Sequence, residues 1–278
     1  MQFGIRLHDA VQAPIEERLK IVKEQGFTCA HVALSKVIHE NSVAPEALTP
    51  GYAMHLKRMF AKNNLDVAVL GCYLNLANPD PDKLKAIQNK YLANIRFAAQ
   101  LGAGVVGTET GAPNVEYQFE EACWSEEALE IFIKNLRPVV KYAEQMGVLF
   151  AIEPVVRHIV CNPVRARRVL DEIDSPNLRI ILDPVNLLET YNYEKQDEIF
   201  DEAIALLGKD VAVLHVKDFV IQDGKMISTA VGQGQCHWNK MIPYMKAEKP
   251  FMHATLENTN PENAVAALNH IKKLYEQS

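Results

Sequence analysis

The chain has 278 residues, with 29 Lys+Arg against 35 Asp+Glu and a formal net charge of −6. Its 48% hydrophobic and 23% charged residues exclude a disordered or fibrous chain, because enough apolar surface is available to offset the entropy of ordering. The mildly acidic balance, with no Lys/Arg run, leaves no electrostatic footprint for nucleic acid, and no apolar run approaches the roughly 20 residues of a membrane span.

Read in chain order, short apolar runs alternate with helical patterns. Too little apolar sequence precedes the first charges in Met1–Asp9 for a signal peptide. Phe3–Leu7 is a first strand, followed by a helix over Pro14–Gln25 with Gly26 past its end. Cys29–Leu34 is the second strand and Pro45–Asn63 its helix; Asp66–Leu70 is the third, then Pro81–Gln100 closed by Gly102. Val105–Glu109 is the fourth, before a helix over Ser125–Met146 that Pro138 should kink or restart, since proline has no N–H to donate. The second half repeats the rhythm: Val148–Glu153 with Pro163–Ile173, Arg179–Asp183 with Glu194–Leu207, Val211–Val216 with Trp238–Lys246, and Phe251–Glu257 with a helix starting at Asn260-Pro261.

Eight strand–helix units of about 35 residues imply parallel pairing and predict an α/β protein made of a single (β/α)8 barrel domain over residues 1–278. An open doubly wound sheet would want a Gly-rich turn after its first strand, and Leu7-His8-Asp9-Ala10 is not one. Five widely spaced cysteines (Cys29, Cys72, Cys123, Cys161 and Cys236), with no CxxC pair, suit a reduced, cytoplasmic chain with structural thiols.

Barrel strands present catalytic groups as inward residues at their C-terminal ends. Four strands here end in a metal-ligating side chain: Glu153, Asp183, His215 and Glu257, each about one unit after the last. Any one of them alone is an ordinary polar residue at a strand end. Three carboxylates converging on one mouth would repel strongly without a cation between them, and the oxygen-rich set with one imidazole suits Mn²⁺, Mg²⁺, Co²⁺ or Zn²⁺.

At these positions the chain resembles the xylose isomerase-like TIM-barrel superfamily, in its sugar (phosphate) isomerase/epimerase branch. The segments that carry the likeness are Ala151-Ile152-Glu153-Pro154, Leu182-Asp183-Pro184-Val185-Asn186-Leu187-Leu188, Leu214-His215-Val216-Lys217-Asp218-Phe219, Val231-Gly232-Gln233-Gly234 and Thr255-Leu256-Glu257-Asn258. The resemblance implies that Glu153, Asp183, His215 and Glu257 hold the metal, that the two glutamates double as the proton-transfer pair, and that the chain is a homo-oligomer, dimer or tetramer. The similar apurinic-endonuclease branch carries extra histidines for a multi-zinc cluster. This chain has Asn186 three residues after the sixth-strand Asp, and Tyr73, Asn75 and Glu109 on the third and fourth strands, so an endonuclease-like hydrolase is disfavoured.

The substrate contacts expected around that centre are His8, Glu109, Arg157, His158, Asn186 and Lys217. His8 shares the phase of Arg6, with a surface turn as the alternative; Glu109 shares the inward phase of Val105 and Gly107, with a salt-bridged structural acid as the alternative. Arg157 and His158 resemble the family's substrate-contacting loop, or form a solvated pair; Lys217 faces the same way as His215, to hold a substrate oxygen or a structural ion pair. Asp218 has the opposite phase and reads as structural, His253 as a hydrogen-bonded core histidine, Gly232 and Gly234 as a plain turn, and Trp124 and Trp238 as packing residues. The leading function is a divalent-metal-dependent isomerase or epimerase of a small sugar or sugar phosphate. A metal-dependent lyase of the polyol-dehydratase kind and a non-catalytic sugar-binding barrel are the alternatives.

Overall fold

The computed structural model describes residues 1–278. The strands are β1 (Gln2–Arg6), β2 (Cys29–Val32), β3 (Asp66–Gly71), β4 (Val105–Glu109), β5 (Phe150–Glu153), β6 (Leu178–Leu182), β7 (Val211–Val216), β8 (Asp218–Gln222), β9 (Lys225–Thr229) and β10 (His253–Leu256). The helices are α1 (Ile15–Glu24), α2 (Leu34–Val37), α3 (Pro50–Lys62), α4 (Pro81–Leu101), α5 (Glu126–Met146), α6 (Pro163–Ile173), α7 (Gln196–Leu207), α8 (Trp238–Glu248) and α9 (Ala264–Gln277). Eight strands close in the order β1-β10-β7-β6-β5-β4-β3-β2, every pair parallel. The expected (β/α)8 barrel is the one formed.

Alternation along each strand divides the apolar residues into two cores. The larger packs strands against helices; a smaller cluster, with Ala151, Ile181 and Val213, is separate from it. Those three lie two residues before Glu153, Asp183 and His215 on the same sides of their strands, so an apolar plug in the barrel supports the polar residues above it. Register aligns the rim: Glu109 pairs with Glu153 across β4 and β5, and Thr255 with His215 across β10 and β7.

Close strand packing explains Gly4. A Cβ there would press on the backbone carbonyl of Cys29 and stand 2.5 Å from its thiol, and a neighbouring strand's backbone cannot turn aside. Gly4→Ala is therefore expected to destabilise the protein by about 1–3 kcal/mol, the usual cost of overpacking, read as a fall in the thermal midpoint.

Four features differ from the sequence expectation. Pro138 neither kinks nor restarts its helix: α5 runs unbroken from Glu126 to Met146. The carbonyl deprived of its donor belongs to Lys134, and both residues face solvent, while Leu136, Val139 and Val140 hold the buried face in place. The region 45–63 splits into a 3₁₀ turn, Pro45–Ala47, and α3, because Pro50 keeps Thr49 extended, and the Thr49 hydroxyl then caps the new helix by accepting from the Tyr52 N–H. Likewise α9 begins at Ala264, after a turn in which the Asn260 side chain accepts from the backbone N–H groups of Glu262 and Asn263. Unforeseen, β8 and β9 form an antiparallel hairpin after β7. Its tip, Asp223-Gly224, has φ of 51° and 70°, the Asp-Gly pattern of a two-residue turn with both central residues at positive φ.

His253 is a correction too. It starts β10, at the end of the barrel away from Glu257, and shares a hydrogen bond of 3.1 Å with the Asp66 carboxylate at the rim, so it is not a core histidine. All five cysteines are free thiols. No helix is long and apolar enough to cross a membrane.

Candidate active site

The C-terminal strand ends bring Glu153, Asp183, His215 and Glu257 together, with side chains almost wholly buried. One His215 nitrogen, Nδ1, stands 3.3 Å from both Glu153 Oε1 and Glu257 Oε1, so a single imidazole nitrogen bridges the two glutamates. Lys217 Nζ lies 2.7 Å from Asp183 Oδ2 and 3.5 Å from Glu257 Oε2. The Asp183 contact is an ion pair without hydrogen-bond alignment, for Oδ2 has no hydrogen-bond partner. Asn186 ties the halves of the cluster: its Nδ2 donates to Glu153 Oε1 at 2.7 Å, and its Oδ1 accepts from Lys217 Nζ at 2.7 Å.

Three residues that sequence reasoning left out complete the cluster. Arg6 Nη1 is 3.1 Å from Glu257 Oε2. His31, on β2, stacks on His215 with ring centroids 5.2 Å apart, and its Nδ1 faces Glu257 Oε1 at 3.7 Å. The Tyr73 hydroxyl shares a 2.9 Å hydrogen bond with His31 Nε2. The signal for His31 was present: it interrupts the apolar run of the second strand just as His215 interrupts that of β7.

Burial and charge compete at each group. Burial alone would raise the Glu257 carboxyl, but His215, Lys217 and Arg6 outweigh it and hold Glu257 well below the usual carboxylate range. Asp183 is pushed up by burial, with Lys217 opposing. Burial likewise disfavours the charged His215, yet Glu257 and Glu153 prevail and raise it to about 9. Burial and the neighbouring His215 push His31 down, so it stays neutral.

A hollow of about 200 Å³ opens above, lined by Arg6, His8, Tyr73, Glu109 and Lys217 among others. Of the expected contacts, His8, Glu109, Asn186 and Lys217 border it. His8 is driven down to about 4 by burial and by Arg6 and Lys36. Glu109 is raised by burial and by Glu257, and its Oε2 accepts from the Tyr117 hydroxyl at 3.4 Å. His158 stands 3.8 Å from the same oxygen. Arg157 is not brought to the hollow: its guanidinium donates to Glu189 Oε2 at 2.6 Å, which holds it between the loops after β5 and β6. Neither tryptophan covers the hollow; Trp238 donates to the Lys217 carbonyl and Trp124 to that of Val156.

Asp218 is structural. Its carboxylate accepts from the backbone N–H groups of Phe219, Gly232 and Cys236, so Gly232 and Gly234 belong to a turn folded onto it.

The donor chemistry fits a divalent ion. Glu153, Asp183 and His215 each bring a ligand atom within 4.8 Å of the others, and so do His31, His215 and Glu257. Buried His215 Nε2 and His31 Nδ1 lack hydrogen-bond partners.

A closed (β/α)8 barrel with buried carboxylates and imidazoles at the C-terminal mouth places the protein among barrels whose site is built from strand ends. The family model for the xylose isomerase-like TIM barrel matches residues 19–274, and the chain belongs to that family. Solved structures with the same fold include a D-tagatose 3-epimerase-like protein, 19% identical over 100% of this chain and 98% of that one, with a TM-score of 0.76. The apo 3-keto-D-glucoside 4-epimerase of E. coli is 15% identical over 98% and 99%, with a TM-score of 0.73. The IOLI protein with a zinc atom is 16% identical over 100% and 97%, with a TM-score of 0.75. No curated protein gives a significant sequence match.

Proposed function

We propose that the protein is a divalent-metal-dependent epimerase or isomerase of a small sugar or sugar phosphate. The observation that carries this reading is the pair of buried glutamates, Glu153 and Glu257, that meet at one nitrogen of His215 in the barrel mouth. The printed activities of the two epimerase-type structural neighbours, both on sugars, support the same substrate class. Glu153, Asp183, His215 and Glu257 would hold the ion. When bound, such an ion offsets the negative charge that develops on substrate oxygens as a proton leaves the carbon beside a carbonyl. Glu257, kept ionised by its cationic neighbours, takes that proton on a carboxylate oxygen. The Glu153 carboxylate, oriented by Asn186, picks up a proton from solvent and passes it to the opposite face, while Glu257 releases the proton it took to solvent. Asn186 and Lys217 orient the substrate's hydroxyls, and Glu109 accepts from another.

Ketoses, aldoses and their phosphates, incubated in D₂O with Mn²⁺ and followed by NMR, test this. Deuterium uptake at one carbon with mass otherwise conserved is expected. A dehydrated, unsaturated or deoxy product would replace the reading with the lyase, and no exchange with metal bound would remove it.

The His215 proton gives a further prediction. Its folded value lies above the ordinary 6.5, so its contribution to stability is complete below about 6.5 and is lost as pH rises through about 9. The metal-free protein should melt progressively lower across that window. Because a ligating imidazole must shed this proton, Mn²⁺ affinity measured by titration should rise over the same range.

A further inference from the structure

Beside the catalytic hollow lies a second and larger cavity, of about 420 Å³. Its walls come from α2, from the segment leading to α3, from the chain leaving β3 and from α4. Leu34, Val43, Pro45 and Leu74 supply apolar surface, and Lys36 and Lys90 supply two ammonium groups. No carboxylate lines the cavity itself; Lys36 also borders the hollow, where its charge acts on Glu109, and Lys90 belongs to the cavity alone.

Two side chains, Lys36 and Tyr73, line both spaces and form the partition between them. The Tyr73 side is fixed by its bond to His31. The Lys36 side is an exposed, long and flexible chain, which can swing without breaking any part of the fold. Ligand sites usually enclose roughly 300–1,000 Å³. The catalytic hollow falls short of that range alone and enters it when joined to its neighbour.

The character of the larger space differs from that of the hollow. Where the hollow is crowded with ionised groups of both signs, the neighbour is apolar along its body and purely cationic in its charges. That complements a group with a hydrophobic body and an anionic end, whose charge the ammonium groups pair with directly.

We infer that the substrate is a sugar conjugate: its reacting ring sits over Glu153 and Glu257, and a substituent with an apolar body and a phosphate or carboxylate end passes Lys36 into the adjoining cavity. This rests on the sugar reading proposed above and names the part of the substrate that lies outside the reacting ring. Lys36 and Lys90 bind the anionic end, and Leu34, Val43 and Leu74 pack on the body.

Calorimetric binding of four probes to the full chain tests it: methyl, phenyl, 4-carboxyphenyl and 4-phosphophenyl β-D-glucoside. The two anionic probes should bind at least about tenfold tighter than the phenyl glucoside, since one charge-assisted hydrogen bond is worth about that factor, and the phenyl tighter than the methyl. Whichever acid binds tighter identifies the source of the charge. Lys36→Gln and Lys90→Gln should each remove most of the anionic preference, whereas Lys85→Gln, on the same helix as Lys90 but outside the cavity, should leave it. Val43→Trp, which fills the cavity, should weaken all three aryl glucosides to the level of the methyl glucoside. Equal binding of the methyl and anionic probes, or a preference that survives Lys36→Gln combined with Lys90→Gln, overturns the inference. The sugar reading fails separately: deuterium exchange on neutral ketoses with no anionic preference overturns the cavity assignment alone, and an anionic preference without exchange supports the cavity and overturns the epimerase reading.

Discussion

Glu257→Gln and Glu153→Gln should each slow solvent-deuterium exchange into substrate by about 10²–10⁴-fold, the usual contribution of a positioned acid or base. The two variants should differ in stability. A glutamine at 153 still accepts from Asn186, whose Nδ2 is 2.7 Å from Oε1, and removes only one of the two carboxylates facing His215, so that protein should lose less stability than the variant at 257. A glutamine at 257 removes the charge that faces Arg6, His215 and Lys217 together, leaving buried cations short of a counter-charge and lowering the melting temperature. Full turnover by both variants with metal bound would sink the proton-transfer pair.

Lys217→Met should cost the metal-free protein about 3–5 kcal/mol, the usual penalty for removing one partner of a buried ion pair. The methionine replaces the aliphatic stem, so the loss is chiefly that of the ammonium beside Asp183 and Glu257. A divalent ion supplies positive charge to the same carboxylates. Mn²⁺ should therefore raise the melting temperature of Lys217→Met more than that of wild type, and bind it more tightly. A metal-free variant as stable as wild type would show that Lys217 is not the counter-ion of this cluster.

Much of this architecture is legible in the chain because barrel geometry repeats. Each strand is a short apolar run, and an inward polar residue at its end is conspicuous against that background; Glu153, Asp183, His215 and Glu257 stand out for this reason, and the structure gathers all four. The shorter-range signals are harder to weigh. Pro138 reads as a break, yet the cost of its missing N–H depends on whether the freed carbonyl meets solvent, a property of the packed helix rather than of the residue. Arg6 and Tyr73 carry no site role in the sequence because their partners, Glu257 and His31, come from distant strands that only closure of the barrel makes adjacent. Arg157 errs in the opposite direction: its loop lies at the mouth, but Glu189, from the next loop, captures its charge. The Asp223-Gly224 turn is a strong local signal, but its hairpin lies outside the strand–helix repeat that organises the rest of the chain.

The Asp218 carboxylate, which accepts N–H groups from both ends of the β8–β9 segment, has a consequence for how this barrel can change. It ties that arm at its base, one residue beyond Lys217, so motion or lengthening farther out is not transmitted to the ammonium beside Asp183. The Asp223-Gly224 tip is thus a place for elaboration: doubling a flexible loop costs only about 0.6 kcal/mol in closure entropy, and tips of this kind tolerate inserted chain. Here a lid, a recognition loop or a subunit contact can be added without redrawing the barrel mouth.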